Sequence, residues 1–206
     1  MYFHKYGIIF RKLFPSYLWK VDTRLKEIYL TFDDGPVPEV TEFVLDELAR
    51  YGAKATFFCV GDNVVKHPAI YERLLSEGHS VGNHTFNHLN ARKVDSESYL
   101  SNIAKCQEVL EDIQPKFFRP PYARLKWNHI KELKKHGYQI VMWDILTGDF
   151  DPNLNCELAL KKTIQGTKCG SIVLMHDNPK HFKNMKYILP KYLAHFAQQG
   201  YIFKPL

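Results

Sequence analysis

Short apolar runs and longer stretches of spaced apolar residues alternate along the chain from about residue 26 onward. The short runs are rich in β-branched and aromatic residues, which favours strands, and the spaced stretches have the period of amphipathic helices. The predicted strands are residues 27–33, 54–60, 79–83, 116–119, 138–144, 170–175 and 201–203. The predicted helices are residues 38–51, 62–77, 95–113, 127–136, 155–166 and 184–198.

Glycines punctuate this alternation, since one stands near the end of most predicted helices, before the next strand. They are Gly52, Gly78, Gly137, Gly166 and Gly200. Glycine in this position is a typical helix stop. Strands that alternate with helices predict an α/β fold with a parallel sheet, either a barrel of the β/α type or an open doubly wound sheet.

Both architectures place their chemistry at the carboxyl ends of the strands. Polar residues stand at those ends in this sequence, where packing alone would not require them. They are Asp33, Asp34, His84, Arg119, Asp144 and His176. We therefore expect a functional site along that edge of the sheet.

Composition narrows the class of protein. A chain of 206 residues is long enough for one domain with a substantial core. The net charge of +6 comes from scattered Lys and Arg, and no nucleic-acid motif accompanies it, so we expect no nucleic-acid partner. The four cysteines form no C-x-x-C pair and are expected to be free thiols.

The first 25 residues differ in character from the rest, so we divide the chain into an N-terminal leader, residues 1–25, and a catalytic domain, residues 26–206. Cationic residues interrupt the apolar ones, so no signal peptide or transmembrane helix is visible, and the default location is cytoplasmic or membrane-peripheral. Residues 8–19 are a candidate for peripheral membrane contact, with packing on the domain as the alternative. We expect a monomer.

The pair Asp33-Asp34 ends the first predicted strand. Adjacent side chains on a continuing strand point apart, so one carboxylate can bind a cation while the other faces a reactant. The same residues also suit an ordinary turn before Gly35-Pro36. The motif by itself leaves both readings open.

His84 and His88 are four residues apart and can converge on one metal if the segment is helical or tightly turned. With Asp34 they make a set of three ligands that leaves room for water and substrate. This set predicts one divalent metal, most simply Zn²⁺, with Co²⁺, Ni²⁺ or Mn²⁺ as alternatives.

Hydrolysis at such a metal needs a base and an acid. We expect Asp33 to be the base and His176 to protonate the leaving amine. Arg119 can orient a carboxylate, and Tyr122 can present its backbone N–H within a turn fixed by Pro121. Asp144 and Asp149 are candidates to pair with Arg119, to raise the pKa of His176, or to cap a turn.

With these motifs in order, the chain resembles the polysaccharide deacetylase family, the NodB-type carbohydrate esterase domain, over residues 26–204. Thr31-Phe32-Asp33-Asp34-Gly35-Pro36 matches the first family motif, which implies Asp33 as base and Asp34 as ligand. His84-Thr85-Phe86-Asn87-His88 matches the second and implies both histidines as ligands. Arg119-Pro120-Pro121-Tyr122 resembles the third, and Leu174-Met175-His176 the fifth. The resemblance implies a distorted (β/α)7 barrel, with His176 as acid.

Two positions depart from the family pattern. Ala123 stands where a glycine is usual in the third motif. In the fourth motif Leu146 replaces the usual first aspartate and Phe150 the usual tryptophan, so Asp144 is our first substitute for the missing carboxylate. Leu174 is expected to form a wall for the acetyl methyl group.

The resemblance predicts a metal-dependent hydrolase that removes N-acetyl groups from a carbohydrate containing N-acetylglucosamine. Three alternatives stay open: a deacylase of a lipid-linked or other small acylated sugar, a carbohydrate-binding module without catalysis, and a nucleic-acid binder. Asp33 and His176 argue against a binding module, because binding alone needs neither a base nor an acid.

Overall fold

A computed structural model of the protein describes residues 12–111 and 113–206. The sheet is built from eight strands in this part of the chain, and all but β6 overlap a predicted strand. They are β1 (Glu27–Asp33), β2 (Ala55–Cys59), β3 (Ser80–Asn83), β4 (Phe117–Phe118), β5 (Gln139–Ile140), β6 (Ile145–Leu146), β7 (Ile172–His176) and β8 (Ile202–Phe203).

The strands pair in the order β5-β4-β3-β2-β1-β7-β6, with β8 beside β1, and every pair is parallel. The two ends of this path, β5 and β6, are separated in sequence only by residues 141–144. Five residue steps span at most about 18 Å, whereas seven strands laid flat would hold their outer members roughly 29 Å apart. The sheet therefore curls into an incomplete barrel, and the predicted distorted (β/α)7 architecture is confirmed.

Helices connect the strands and cover the outside of the sheet. They are α1 (Val40–Ala49), α2 (Gly61–Lys66), α3 (Pro68–Ser76), α4 (Ser96–Leu110), α5 (Trp127–Lys135), α6 (Cys156–Gly166) and α7 (Phe182–Gln198), with a 3-10 turn at Pro121–Ala123. The predicted helix 62–77 is two helices, since the residue before a proline disfavours helical geometry and His67 precedes Pro68. Gly166 is the last residue of α6 and lies inside the helix, unlike the other four predicted stops.

The largest difference from the predicted elements lies at residues 138–144. This apolar run was predicted as one strand, but β5 ends at Ile140 and β6 begins at Ile145. Between them the chain leaves one edge of the sheet and joins the other, with Val141 forming a bridge to Leu18. An apolar run does not reveal this break because both halves are buried.

Residues 12–25 pack on the domain. Trp19 is buried, and its indole N–H donates to the Phe14 carbonyl at 3.1 Å. Lys20 forms a bridge to Ser171 beside β7. Part of the proposed membrane-contact segment, residues 8–11, lies outside the described residues, and contact with a membrane stays a prediction. Within the described ranges, no helix has the length and apolar character to cross a membrane, and all four cysteines are free.

Candidate metal centre and active site

The two carboxylates at the end of β1 have different partners. Asp33 is the last residue of the strand, and its Oδ1 accepts a hydrogen bond from Arg119 Nη1 at 2.7 Å. Asp34 leaves the strand with φ of 90°, and its Oδ1 lies 3.2 Å from His88 Nε2 and 3.6 Å from His84 Nε2. The backbone thus directs the Asp33 carboxylate toward a guanidinium and the Asp34 carboxylate toward two imidazoles.

Asp34, His84 and His88 bring one ligand atom each within 4.8 Å of one another. His84 follows β3, and the turn after it, with Thr85 and His88 at positive φ, brings the second imidazole back beside the first. Ligands about 2.0–2.1 Å from a tetrahedral ion are themselves about 3.4 Å apart, and the separations of 3.2 and 3.6 Å from Asp34 fall on either side of that value. These three residues could hold a metal ion.

The tautomer of His84 also suits a metal ligand. Its Nδ1 lies 2.7 Å from the carbonyl oxygen of Arg119, which can only accept, so Nδ1 carries the proton and the lone pair is on Nε2. Burial lowers the pKa of His84 to about 4, so the ring is neutral near neutral pH. A carbonyl that orients the second ring nitrogen is a common support for a ligating histidine.

Three residues that sequence reasoning did not single out hold the Asp34 turn in place. Asn178 Nδ2 donates to Asp34 Oδ2 at 3.1 Å, and Asn63 Nδ2 donates to the Asp34 carbonyl at 2.7 Å. Asp177 accepts from the Gly35 N–H at 2.9 Å through Oδ1 and from the Thr41 hydroxyl at 2.7 Å through Oδ2. Their position in the sequence could have identified them. Asp177 and Asn178 directly follow His176, and Asn63 follows β2 at the same edge of the sheet.

Arg119 is fully buried and its guanidinium is bound on several sides. Nη1 donates to Asp33 and to the Thr31 hydroxyl, and Nη2 donates to the Met142 carbonyl at 2.9 Å. The group also lies 4.0 Å from the centre of the Phe58 ring. The carboxylate that pairs with Arg119 is therefore Asp33, and the prediction of Asp144 or Asp149 as its partner is wrong.

His176, the last residue of β7, is bound to Asp149. Its Nδ1 lies 2.9 Å from Asp149 Oδ1, and its backbone N–H donates to Oδ2 at 2.7 Å. Burial alone would lower the pKa of His176, but the charge and hydrogen bond of Asp149 outweigh it and raise that pKa to about 9. The imidazole is thus protonated near neutral pH.

Asp144 does not take the position predicted for it. Its Oδ1 accepts from the Ile172 N–H at 2.8 Å and its Oδ2 from the Ser171 hydroxyl at 3.0 Å. The register pairs Leu146 with Leu174, so Asp144 lies level with the start of β7, four residues before His176. Asp149, three residues beyond β6, reaches the level of His176. The choice of Asp144 over Asp149 as the partner of His176 was wrong for this reason.

A cavity of about 350 Å³ opens over these groups. Its lining includes the residues Asp33, Asp34, His84, His88, Tyr122, Leu146, Leu174, His176 and His181. Tyr122 and Leu174 therefore lie on the wall, as expected of substrate-binding residues, but Pro120 lines the cavity where Pro121 was expected. Pro121 is buried as the first residue of the 3-10 turn. His181, whose ring centre lies 5.4 Å from that of His176, was not anticipated.

The loop after Arg119 has unusual backbone geometry. Tyr122 and Ala123 both have positive φ, 59° and 55°, a region where glycine is unstrained and other residues are not. The Tyr122 ring lies against His88, with centres 4.8 Å apart. Ala123 thus has a backbone conformation that glycine, the usual residue of the family at this position, would adopt without strain.

With the fold and the site described, comparison with known proteins identifies the class. The family model described as polysaccharide deacetylase matches residues 20–141. The chain belongs to the polysaccharide deacetylase family.

Two curated relatives are peptidoglycan-N-acetylglucosamine deacetylases of Bacillus cereus. One is 35% identical over 87% of this chain and 66% of its own length, and the other is 37% identical over 90% of this chain and 88% of its own length. The chain thus spans slightly less than two thirds of the first relative. A crystal structure of a peptidoglycan N-acetylglucosamine deacetylase with bound 4-naphthalen-1-yl-N-oxidanyl-benzamide is 32% identical, with a TM-score of 0.87, and the match covers 96% of this chain and 94% of that one.

Proposed function

We propose that this protein is a metal-dependent hydrolase that removes N-acetyl groups from a glycan containing N-acetylglucosamine. The observation that carries the proposal is the convergence of a three-ligand metal set, a carboxylate and a protonated imidazole on one cavity. The names of the relatives, peptidoglycan-N-acetylglucosamine deacetylases, support the substrate class.

Asp34, His84 and His88 would hold the ion. Two imidazole nitrogens and one carboxylate oxygen favour Zn²⁺, and the same set accepts Co²⁺, Ni²⁺ or Mn²⁺. A bound divalent ion would supply a Lewis acid that lowers the pKa of water and polarises the acetyl carbonyl. The ligand in the related structure is a hydroxamic acid by its chemical name, a group that chelates divalent metals, and this supports the assignment.

Asp33 is proposed as the general base. Its Oδ1 is held by Arg119, while its Oδ2 lies 3.9 Å from His84 Nε2 and so faces the ligand set. The guanidinium fixes the carboxylate in one orientation, so the second oxygen is placed to accept a proton from water that attacks the carbonyl carbon. The contact between the buried guanidinium and this carboxylate is a charge-assisted hydrogen bond, which is stronger than a neutral one.

His176 is proposed as the general acid. Its Nδ1 is occupied by Asp149, so Nε2 is the nitrogen able to protonate the departing amine when the carbon–nitrogen bond breaks. A pKa of about 9 keeps that proton available near neutral pH. The products are acetate and a free amino sugar.

The remaining lining residues suit an acetyl group. Leu146 and Leu174 offer apolar walls for the methyl group. In the turn that follows Arg119, the N–H groups of Ala123 and Arg124 donate to the carbonyls of Pro120 and Pro121. Among the described hydrogen bonds, the N–H of Tyr122 is not used in this way, and we propose it as a donor to the developing oxyanion.

The test is acetate and formate release from chitooligosaccharides, peptidoglycan fragments, acetylated xylan and a lipid-linked acetylated sugar. Each substrate is assayed with the purified protein, after EDTA treatment, and after restoring Zn²⁺ or Co²⁺. We expect acetate release from N-acetylated substrates that EDTA abolishes and metal restores. Release that survives EDTA, with no metal in the protein, would contradict the metal centre, and release only from the xylan would contradict the amide substrate.

A further inference from the structure

A second cavity, of about 550 Å³, lies beside the active-site cavity. We name it the aromatic cleft, and it is lined by Phe14, Tyr17 and Trp19 of the N-terminal segment, by Arg92, by residues 123–127, and by Pro120, Ile130, Met142 and Trp143. None of the residues assigned to catalysis or metal binding lines it. The proposed function therefore leaves this cleft without a role.

Among the described residues, the aromatic cleft has one large ring that is mostly exposed. The Trp127 side chain is 73% exposed although it is one of the largest apolar groups in the chain. Its ring centre lies 6.3 Å from that of Phe14, which stacks at 5.2 Å on Tyr17. Stacking and the Trp19 hydrogen bond to Phe14 hold these rings in place. An exposed indole at the edge of an ordered aromatic wall presents a flat apolar face.

The cleft shares part of its wall with the active-site cavity. Pro120, Ala123 and Trp143 line both. A chain-like substrate whose acetyl group reaches the metal centre would therefore extend past these residues into the cleft. The active-site cavity of about 350 Å³ is near the lower end for ligand pockets, roughly 300–1,000 Å³. A longer substrate thus needs a neighbouring surface of this kind.

The charged residues that line the cleft are all basic. Arg92, Arg124 and Lys126 are among its lining residues, and the described lining includes no Asp or Glu. The Lys126 ammonium donates to the Val94 carbonyl, whereas Arg92 and Arg124 are exposed. Exposed guanidinium groups beside apolar rings fit a ligand that carries carboxylates on an otherwise neutral framework.

From these observations we infer that the aromatic cleft binds the sugar residues next to the one that is deacetylated, in a glycan that carries carboxylate groups. The inference deepens the proposed function and rests on it for the position of the acetylated sugar. Trp127 stacks on the apolar face of a pyranose ring, and Arg124 with Arg92 pairs with its carboxylate. The N-terminal segment is in this way part of the substrate site.

The test measures binding without turnover, in the Asp33→Asn background loaded with Zn²⁺. Titration calorimetry gives Kd for three probes: N-acetylglucosamine, N-acetylchitotetraose, and a tetrasaccharide of alternating N-acetylglucosamine and N-acetylmuramic acid with free lactyl carboxylates. We expect the carboxylate-bearing tetrasaccharide to bind most tightly. Trp127→Ala should weaken both tetrasaccharides about tenfold, the loss typical of one stacked anchor residue, and leave the monosaccharide unchanged.

Arg124→Gln separates charge from stacking. It should weaken the carboxylate-bearing tetrasaccharide about tenfold, as for loss of one charge-assisted contact, and change the neutral one little. Leu158→Ala is the matched control, since Leu158 is also an exposed apolar residue in the first turn of a helix, α6. It should alter no Kd.

Unchanged tetrasaccharide Kd values in Trp127→Ala would overturn the inference, as would an equal loss for the monosaccharide. Sedimentation with phosphatidylglycerol vesicles tests the rival occupant. Vesicle binding that Trp127→Ala abolishes while glycan Kd values stay the same would assign the cleft to lipid. Because Kd is measured in a background where turnover is expected to be slowed by roughly 10²–10⁴, the result does not depend on whether the unaltered protein releases acetate.

Discussion

At the floor of the active-site cavity, Asp33, His84 and Arg119 are buried at the ends of parallel strands, and hydrogen bonds hold Asp33 Oδ1, His84 Nδ1 and the guanidinium in place. On the rim, which we define as Tyr122 and Ala123 of this cavity together with Trp127 of the adjoining aromatic cleft, Tyr122 and Trp127 are exposed and belong to a 3-10 turn and a helix start. The floor carries the groups proposed for the chemistry, while the rim carries the groups proposed to contact the rest of a substrate. The proposals thus assign the chemistry to rigid strand ends and the choice of substrate to exposed loop and helix-start residues.

The metal ligands should give the largest effect. Replacing His84 with Ala removes one of three ligands and the only buried imidazole of the set, so we expect nearly complete loss of bound metal and of acetate release. Metal analysis of the purified protein by mass spectrometry measures it. His136→Ala, at an exposed histidine outside the ligand set, should retain the metal. Full metal content in His84→Ala would show that the floor is not the metal centre.

Asp33→Asn should come next, because it removes the base and keeps the ligands. We expect kcat to fall by roughly 10²–10⁴, the range for losing a general base, with metal content largely retained. Asp62→Asn, at an exposed carboxylate paired with Lys66, is the control. An unchanged kcat in Asp33→Asn would show that Asp33 is not the general base.

Asp149→Asn tests the electrostatic support of the acid. The pKa of His176 is raised to about 9, so the proposed acid is protonated below that pH, and activity should fall as pH rises through it. Without the Asp149 charge the pKa of His176 falls, and the alkaline limb of the kcat/KM profile should move to lower pH. Asp144→Asn, whose carboxylate binds Ser171 and Ile172, should leave the limb in place. A shift of the alkaline limb in Asp144→Asn but not in Asp149→Asn would make Asp144, and not Asp149, the carboxylate that supports His176.

The smallest effect concerns the rim. Ala123 has a φ of 55°, and a non-glycine residue in a sparsely populated backbone region costs on the order of 1 kcal/mol or more. Ala123→Gly should therefore raise the free energy of unfolding by about 1 kcal/mol at most, since glycine also gains entropy in the unfolded state. Urea denaturation measures it, and Ala49→Gly within α1 should instead destabilise. A loss of stability in Ala123→Gly would show that this turn is not strained.

The same contrast explains what the sequence could reveal. Asp34 and His84 could be placed together because each follows a strand and parallel strands end at a common edge, and His88 could be added because it stands four residues after His84. The partner of His176 could not be chosen between Asp144 and Asp149, because the break between β5 and β6 leaves no mark in an apolar run.

Other features depended on contacts between distant parts of the chain. Nothing in the pattern around Trp127 indicates that it faces Phe14, more than a hundred positions earlier. Asp177 was visible beside His176, but its bond to the Gly35 N–H joins two segments whose packing only the three-dimensional fold defines. The periodicity of apolar residues identifies helices and strands, whereas contacts such as these depend on the register of the strands and on the path of the loops.

The contact between Gly35 and Asp177 also constrains how this protein can diverge. A Cβ at position 35 would lie 1.9 Å from Asp177 Oδ2, a distance that two atoms not bonded to each other cannot adopt. A lineage that acquires alanine at position 35 must first lose or shorten the side chain at position 177, which leaves the Thr41 hydroxyl without its acceptor. The order of substitutions is thereby fixed, and each intermediate sequence loosens the turn that carries Asp34. We therefore expect substitutions at these two positions, 142 apart in sequence, to occur together and in that order.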